Sequence, residues 1–202
     1  MRKTRRKPHP LSIVPKGRLD ALTDGLFAIT MTLLVIEIKL PENFHPKDAQ
    51  ELTHAILELL RSGIAFFISF FVLGIRWLGI ARLMHGLEHV SRSFARWSLL
   101  HLFLTACIPF STMLVGRYTE FPISIWIYAA NMSLGGLVAM RLYAEPTIGK
   151  MPWYKNENAR SLLWLLAATT TSVVISFFNP MFATLAYILT LPTARPVPSQ
   201  RG

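Results

Sequence analysis

The stretch "GRLDALTDGLFAITMTLLVIEIKLP", residues 17–41, decides the fold. It opens with charged residues, turns almost wholly apolar, and stops at Pro41, which cannot continue a helix. Its apolar portion, 19–40, would reach roughly 33 Å as an α-helix, long enough to cross a bilayer. Yet it keeps Arg18, Asp20 and Asp24 at its start and Thr23, Thr30 and Thr32 along its length. A plain membrane anchor needs none of these. A helix that faces other helices, or water, has use for them.

The whole chain repeats this bias. Of 202 residues, 52% are hydrophobic and only 16% charged, where a soluble domain carries about 25% charge. Mean hydropathy is +0.40, and the apolar residues are blocked into long runs. The expected fold class is an all-α membrane protein with six transmembrane helices at about 19–40, 52–78, 97–116, 122–143, 161–178 and 181–191. The sixth is short, lying between "NP" at 179–180 and Pro192. The expected organisation is a basic tail (1–17), a six-helix transmembrane domain (18–192) and a second tail (193–202). Cys107 is the single cysteine, which excludes an intrachain disulfide.

Of 21 Lys and Arg, 17 fall in the two tails and in the second-to-third and fourth-to-fifth connections, counting Arg76 with the former. Lys39, Lys47, Arg61 and Arg117 lie elsewhere. The positive-inside rule then places both termini in the cytoplasm of a multi-pass protein of the plasma membrane. The same rule accounts for the tail "MRKTRRKPHP" as a topology signal, so no nucleic-acid partner is invoked.

"HGLEH", His85 to His89, matches the H-x-x-E-H zinc pattern, in which two histidines on one helical face bind the metal. The third-ligand candidates Glu120, Glu145 and Glu157 stand in no partner motif, and Arg82, Arg92 and Arg96 nearby would repel a dication. A solvated juxtamembrane segment is the better reading. No phosphate loop and no Cys/His metal spacing appears, so no enzyme, metal or cofactor is expected.

Projected at about 100° per residue, Ile29, Leu33 and Ile36 share one stripe, with Thr32 beside them. Asp24 lies on a different face. An acid at a helix start favours the N-terminal dipole, but one drawn into the bilayer demands a partner.

These residues resemble the transmembrane protein 175 family of potassium channels. The family signature, Arg, three residues, then Phe-Ser-Asp, reads here as Arg18, Leu22, Thr23 and Asp24, with Leu for Phe and Thr for Ser. The likeness continues through "SFFVLGIRW" (69–77), "CIPFSTMLVGRY" (107–118), "IYAANMSLGGLVA" (127–139) and the closing "NP" and Tyr187.

The resemblance implies a potassium-permeable channel without a "TVGYG" filter. The first helices of a homotetramer in the lipid bilayer would line its pore. Ile29 would form the narrow constriction, with Leu33 and Ile36 one and two turns deeper and Thr32 supplying hydroxyls to the ions. Arg18, Thr23 and Asp24 would brace the first helix against its neighbours, with Trp77, Ser98 and Asn131 as further bracing candidates. This chain departs from the family at Leu22 and Thr23, at Ile80, where a histidine is common, and at Ser98, where an asparagine is common. Gly135, Gly136 and Ala139 would permit close helix packing. Two other classes are open: a proton-coupled or proton-conducting transporter using Asp24 or Glu37, and a membrane enzyme using His85 and His89.

Overall fold

The computed structural model describes residues 13–40, 43–85, 87, 89–118, 120–144, 157–178, 183 and 185–187. Pro15 precedes α1 (Lys16–Ile36) with a fixed φ of −59°, the geometry that lets a chain enter a helix without an amide donor. At the far end the last α-helical bond runs from Glu37 N–H to Leu33 O, and the next tightens, Ile38 N–H reaching only back to Val35 O. The helix therefore ends at Ile36 rather than at the expected residue 40. Pro41 disfavours helical geometry at Leu40, and the shortened bonds show the unwinding beginning three residues earlier.

The second helix, α2 (Ala49–His85), is longer than the expected 52–78 at both ends. Asp48 Oδ1 accepts the Glu51 amide at 2.7 Å, and Glu51 Oε2 accepts the Lys47 amide at 2.7 Å, a reciprocal cap that sets its start. At the other end it runs through Arg76 and Arg82 to His85. Arg76 is thus not a connection residue, as its charge suggested. It lies inside the helix and is only 8% exposed, which leaves the basic asymmetry one residue weaker but with the same sign.

The expected third span, 97–116, is two helices, α3 (Arg92–Ala106) and α4 (Ile108–Arg117). Ser91 caps α3 by accepting the Phe94 amide at 3.0 Å. The break falls at Cys107, where Pro109 lacks an amide donor and its ring crowds the carbonyl of residue 105. α5 (Pro122–Tyr143) begins and ends where expected, and α6 (Glu157–Ser176) starts four residues before the expected 161 and ends two before 178. Of the expected sixth segment only Ala183 and 185–187, a short 3-10 turn, lie among the described residues. Both expected tails fall outside them, apart from residues 13–17.

Among the described residues four segments are long and apolar enough to cross a membrane: Lys16–Ile36, Ala49–His85, Arg92–Arg117 and Pro122–Tyr143. The apolar part of α6, Leu162–Ser176, is shorter. The protein is therefore a multi-pass membrane protein, all-helical among the described residues except for one two-residue strand pair. In that pair β1 (Ile13–Val14) runs antiparallel to β2 (Val90–Ser91). It ties the chain entering α1 to the α2–α3 connection, so both sit at one end of the bundle.

α1 packs against α2, α3 and α4, while α5 packs on α3, α4 and α6. Phe27, Leu34, Leu73, Ile108, Ile125 and Met132 are fully buried between them. Polar groups in this interior are paired across helices. Thr112 Oγ1 donates to Ser69 Oγ at 2.9 Å, and Ser69 Oγ lies 2.9 Å from the Tyr128 hydroxyl, linking α4, α2 and α5. Such bonds hold helices together where apolar burial alone has little driving force.

Candidate functional site

α1 has two faces of opposite character. Leu19, Thr23, Phe27, Thr30 and Leu34 are buried against the neighbouring helices. Arg18, Leu22, Gly25, Ile29, Thr32, Leu33 and Ile36 are exposed, and by projection they fall within roughly 100° of one another. Ile29 is 62% exposed, Leu33 42% and Ile36 65%. Of the four membrane-length segments α1 is the least buried. The subunit thus leaves a mostly apolar stripe of α1 for lipid or for another copy. Thr32 Oγ1 donates to the Ile29 carbonyl at 2.8 Å, so its hydrogen is committed and its oxygen faces outward as an acceptor.

The signature residues separate into different roles. Asp24 Oδ1 accepts from the Trp77 indole Nε1–H at 2.9 Å, pinning the first half of α1 to the last third of α2. Thr23 is buried but gives its hydroxyl hydrogen to Leu19 O of its own helix at 2.8 Å, so that bond does not reach a neighbour. Arg18 and Leu22 are exposed. Ser98 is buried and lines a small cavity with Thr23, Ile80 and His101. Asn131 Nδ2 donates to Ser111 Oγ at 3.2 Å, which couples α5 to α4 and leaves α1 untouched. Beyond α1, Arg117 Nη2 donates to Glu37 Oε2 at 3.2 Å, joining the residue that ends α1 to the last residue of α4.

The two histidines of "HGLEH" do not share a helix, because α2 ends at His85 and His89 precedes β2. Glu88 lies outside the described residues. Among those described, no three His, Cys, Asp or Glu come together as a metal site.

Two interior residues escaped the sequence reading. Arg76 is buried on α2, and His101 on α3 is 1% exposed, with Arg76 Nη2 3.5 Å from His101 Nδ1. Gly135 on α5 makes room for the pair: a Cβ there would lie 2.5 Å from Arg76 Nη2. The available signal was polarity itself. Arg76 and His101 each stand in an apolar run, where a polar residue points inward and is paired.

A family profile described as endosomal/lysosomal potassium channel TMEM175 matches residues 18–109. The chain is 32% identical over 130 residues to a potassium channel of Chamaesiphon minutus, an alignment covering 63% of this chain and 64% of the relative. It is 34% identical over 126 residues to a potassium channel of Streptomyces collinus, covering 62% of this chain and 59% of the relative. The matches therefore span less than two thirds of either relative's length. The structure superimposes on the crystal structure of a lysosomal potassium-selective channel TMEM175 homolog from Chamaesiphon minutus with a TM-score of 0.72. Identity over that superposition is 25%, and it covers 89% of this chain and 98% of that one.

Proposed function

We propose that the chain is a prokaryotic member of the TMEM175 family, which its similarities to that family's profile and channels support, and that it is a potassium-permeable cation channel built as a homotetramer. The observation that carries this reading is the exposed apolar stripe of α1, with Ile29, Leu33 and Ile36 on the side of the helix away from the face that Leu19, Thr23, Phe27, Thr30 and Leu34 pack into the subunit. One such helix cannot enclose a pore, and cyclic symmetry closes it by bringing the same stripe from each copy to a common axis. Ile29 forms the narrowest ring in this arrangement, and Leu33 and Ile36 extend the apolar section. A ring of that kind gates by shedding water, and ions pass when it widens enough to rewet. Thr32 oxygens, each a free acceptor on the same face, meet partly dehydrated cations between the apolar rings.

Both termini and the α2–α3 connection face the cytoplasm of a plasma membrane in this reading, supported by the basic asymmetry of the loops. The transmembrane domain is residues 18–192, flanked by tails 1–17 and 193–202, and the short segment 181–191 supplies the sixth span. Asp24, Trp77 and Ser98 brace α1, while Asn131 braces α5.

Proton transport is the competing reading, and it needs a carboxylate free to load and unload. Asp24 is held by Trp77 and Glu37 by Arg117, which favours structural roles for both. Flux into proteoliposomes under separate potassium, sodium and proton gradients tests the proposal. Potassium flux exceeding proton flux supports a channel, and proton flux alone overturns it.

A further inference from the structure

Arginines collect at the end of the bundle where β1 meets β2. Arg82 lies in the last turn of α2, Arg92 and Arg96 in the first turns of α3, and Arg141 in the last turn of α5. All of them are exposed. The packing of the helix ends draws them together. The Tyr143 hydroxyl of α5 lies over Gly79 of α2, 2.6 Å from where a Cβ would stand, less than a turn before Arg82. Arg141 sits over the Trp97 ring of α3, 5.8 Å from its centroid, next in sequence to Arg96. The strand pair brings in the chain that precedes α1, because Ile13 pairs with Ser91. That chain begins with Arg2, Lys3, Arg5, Arg6 and Lys7.

The depth of the cluster follows from the helices that carry it. Arg92–Arg117 and Pro122–Tyr143 are membrane-length segments, and Arg92, Arg96 and Arg141 stand in their terminal turns. The contact of Tyr143 with Gly79 sets Arg82 at the same level. The ends of such segments meet the headgroup layer, where a long basic side chain reaches phosphate while its stem stays on apolar surface. Arg82 and Arg96 make no ion pair among the described residues. Their guanidinium groups match a phosphate with two parallel hydrogen bonds. Membrane topology requires only basic charge in the connections, not arginines gathered from three helix ends on the folded surface.

We propose that this end of the subunit, centred on Arg82 and Arg96, is a docking surface for the phosphate headgroups of anionic phospholipids. Basic clusters of about this size beside a membrane span attract such lipids. The lipid, rather than free phosphate, is the source, because the arginines stand at the depth where headgroup phosphates are already present. The surface requires only the membrane-spanning fold and stands whether or not the channel reading does.

Native mass spectrometry tests it, using the full chain released from vesicles of phosphatidylglycerol and phosphatidylcholine in equal parts. Phosphatidylglycerol should be retained in preference. Arg82→Gln and Arg96→Gln should each reduce that preference roughly five-fold, and it should fade in about 1 M salt. Both positions are exposed, so the substitutions leave the core packing alone. The double variant keeps 19 of the 21 Lys and Arg, and with them the insertion signal. Lys39→Gln with Lys47→Gln, at the other end of the bundle, removes the same charge and should leave the preference unchanged. Equal retention of the two lipids overturns the proposal, as does a preference that survives in the double arginine variant. An equal fall in the double lysine variant overturns it too, by making the preference a matter of net charge. Displacement of the lipid by dilute inorganic phosphate would make free phosphate the ligand and overturn the lipid assignment.

Discussion

Ile29 and Thr30 are adjacent in sequence and opposite in setting, the first 62% and the second 2% exposed. If the Ile29 side chains of four subunits form the apolar ring, Ile29→Asn should wet it. An amide offers hydrogen bonds to water inside the constriction and lowers the barrier to ions. Cation leak should rise and potassium-over-sodium preference should fall in the same proteoliposome assay, while Thr30→Ser, changed on the packed side, should alter neither. Unchanged flux and selectivity in an assembled Ile29→Asn channel would make Ile29 a lipid or packing contact. Asp24 presents the converse case, a polar residue with a defined partner. Trp77→Phe keeps the ring and removes the N–H, and should lower stability by on the order of 1 kcal/mol, a modest loss because the bond is exposed at its rim. Combined with Asp24→Ala, which removes the acceptor, in a double-mutant cycle, the two changes should be non-additive in thermal unfolding. Selectivity should stay as it was. Periodicity made the stripe of α1 legible in sequence, because a helix dictates which residues share a side. It gave Asp24 the need of a partner but not the partner, since the meeting with Trp77 joins residues 53 apart. Arg76 was misread for a related reason: a basic residue near Arg82 resembles a helix end until the packing of α5 shows where it lies.

Helix boundaries fail where backbone hydrogen bonds, not composition, decide them. The run through Pro109 is continuously apolar, so sequence alone reads one span, yet the missing amide divides it into α3 and α4. α5 was legible to the residue because Pro122 and the change after Tyr143 punctuate both ends. The ends of α1 and α4 illustrate what elements do together. Glu37, just past the stripe of α1, is paired with Arg117 at the close of α4, both partly exposed. At the mouth of a symmetric pore, four such carboxylates would attract cations, and four guanidinium groups offset that attraction. Arg117→Gln should therefore raise potassium conductance at low ionic strength. The gain should fade in concentrated salt, since a Debye length of about 3 Å at 1 M screens the mouth charges. A gain that persists in high salt would mean that the pair acts on the shape of α1 rather than through its field.

At the scale of the molecule, one question follows from the membrane itself. An apolar stripe facing lipid and an apolar stripe facing its own symmetry mates look alike on a single subunit, because lipid tails are as apolar as isoleucine. What separates them is the company that the isoleucines keep. The stripe on α1 includes Gly25, with nothing within 4 Å of where a Cβ would stand, and Thr32, whose outward oxygen has no use in hydrocarbon. Both suit a face that meets water and other copies. Cysteine crosslinking makes the distinction measurable. With Cys107→Ser as background, Ile36→Cys should form covalent dimers under mild oxidation in native membranes if the proposed fourfold symmetry holds, since it would bring neighbouring copies of that position together near the pore mouth. Thr30→Cys, buried within its own subunit, should stay monomeric under the same conditions. If Ile36→Cys yields no dimer although the protein migrates as an oligomer, the stripe faces lipid, and another helix must line whatever path the ions take.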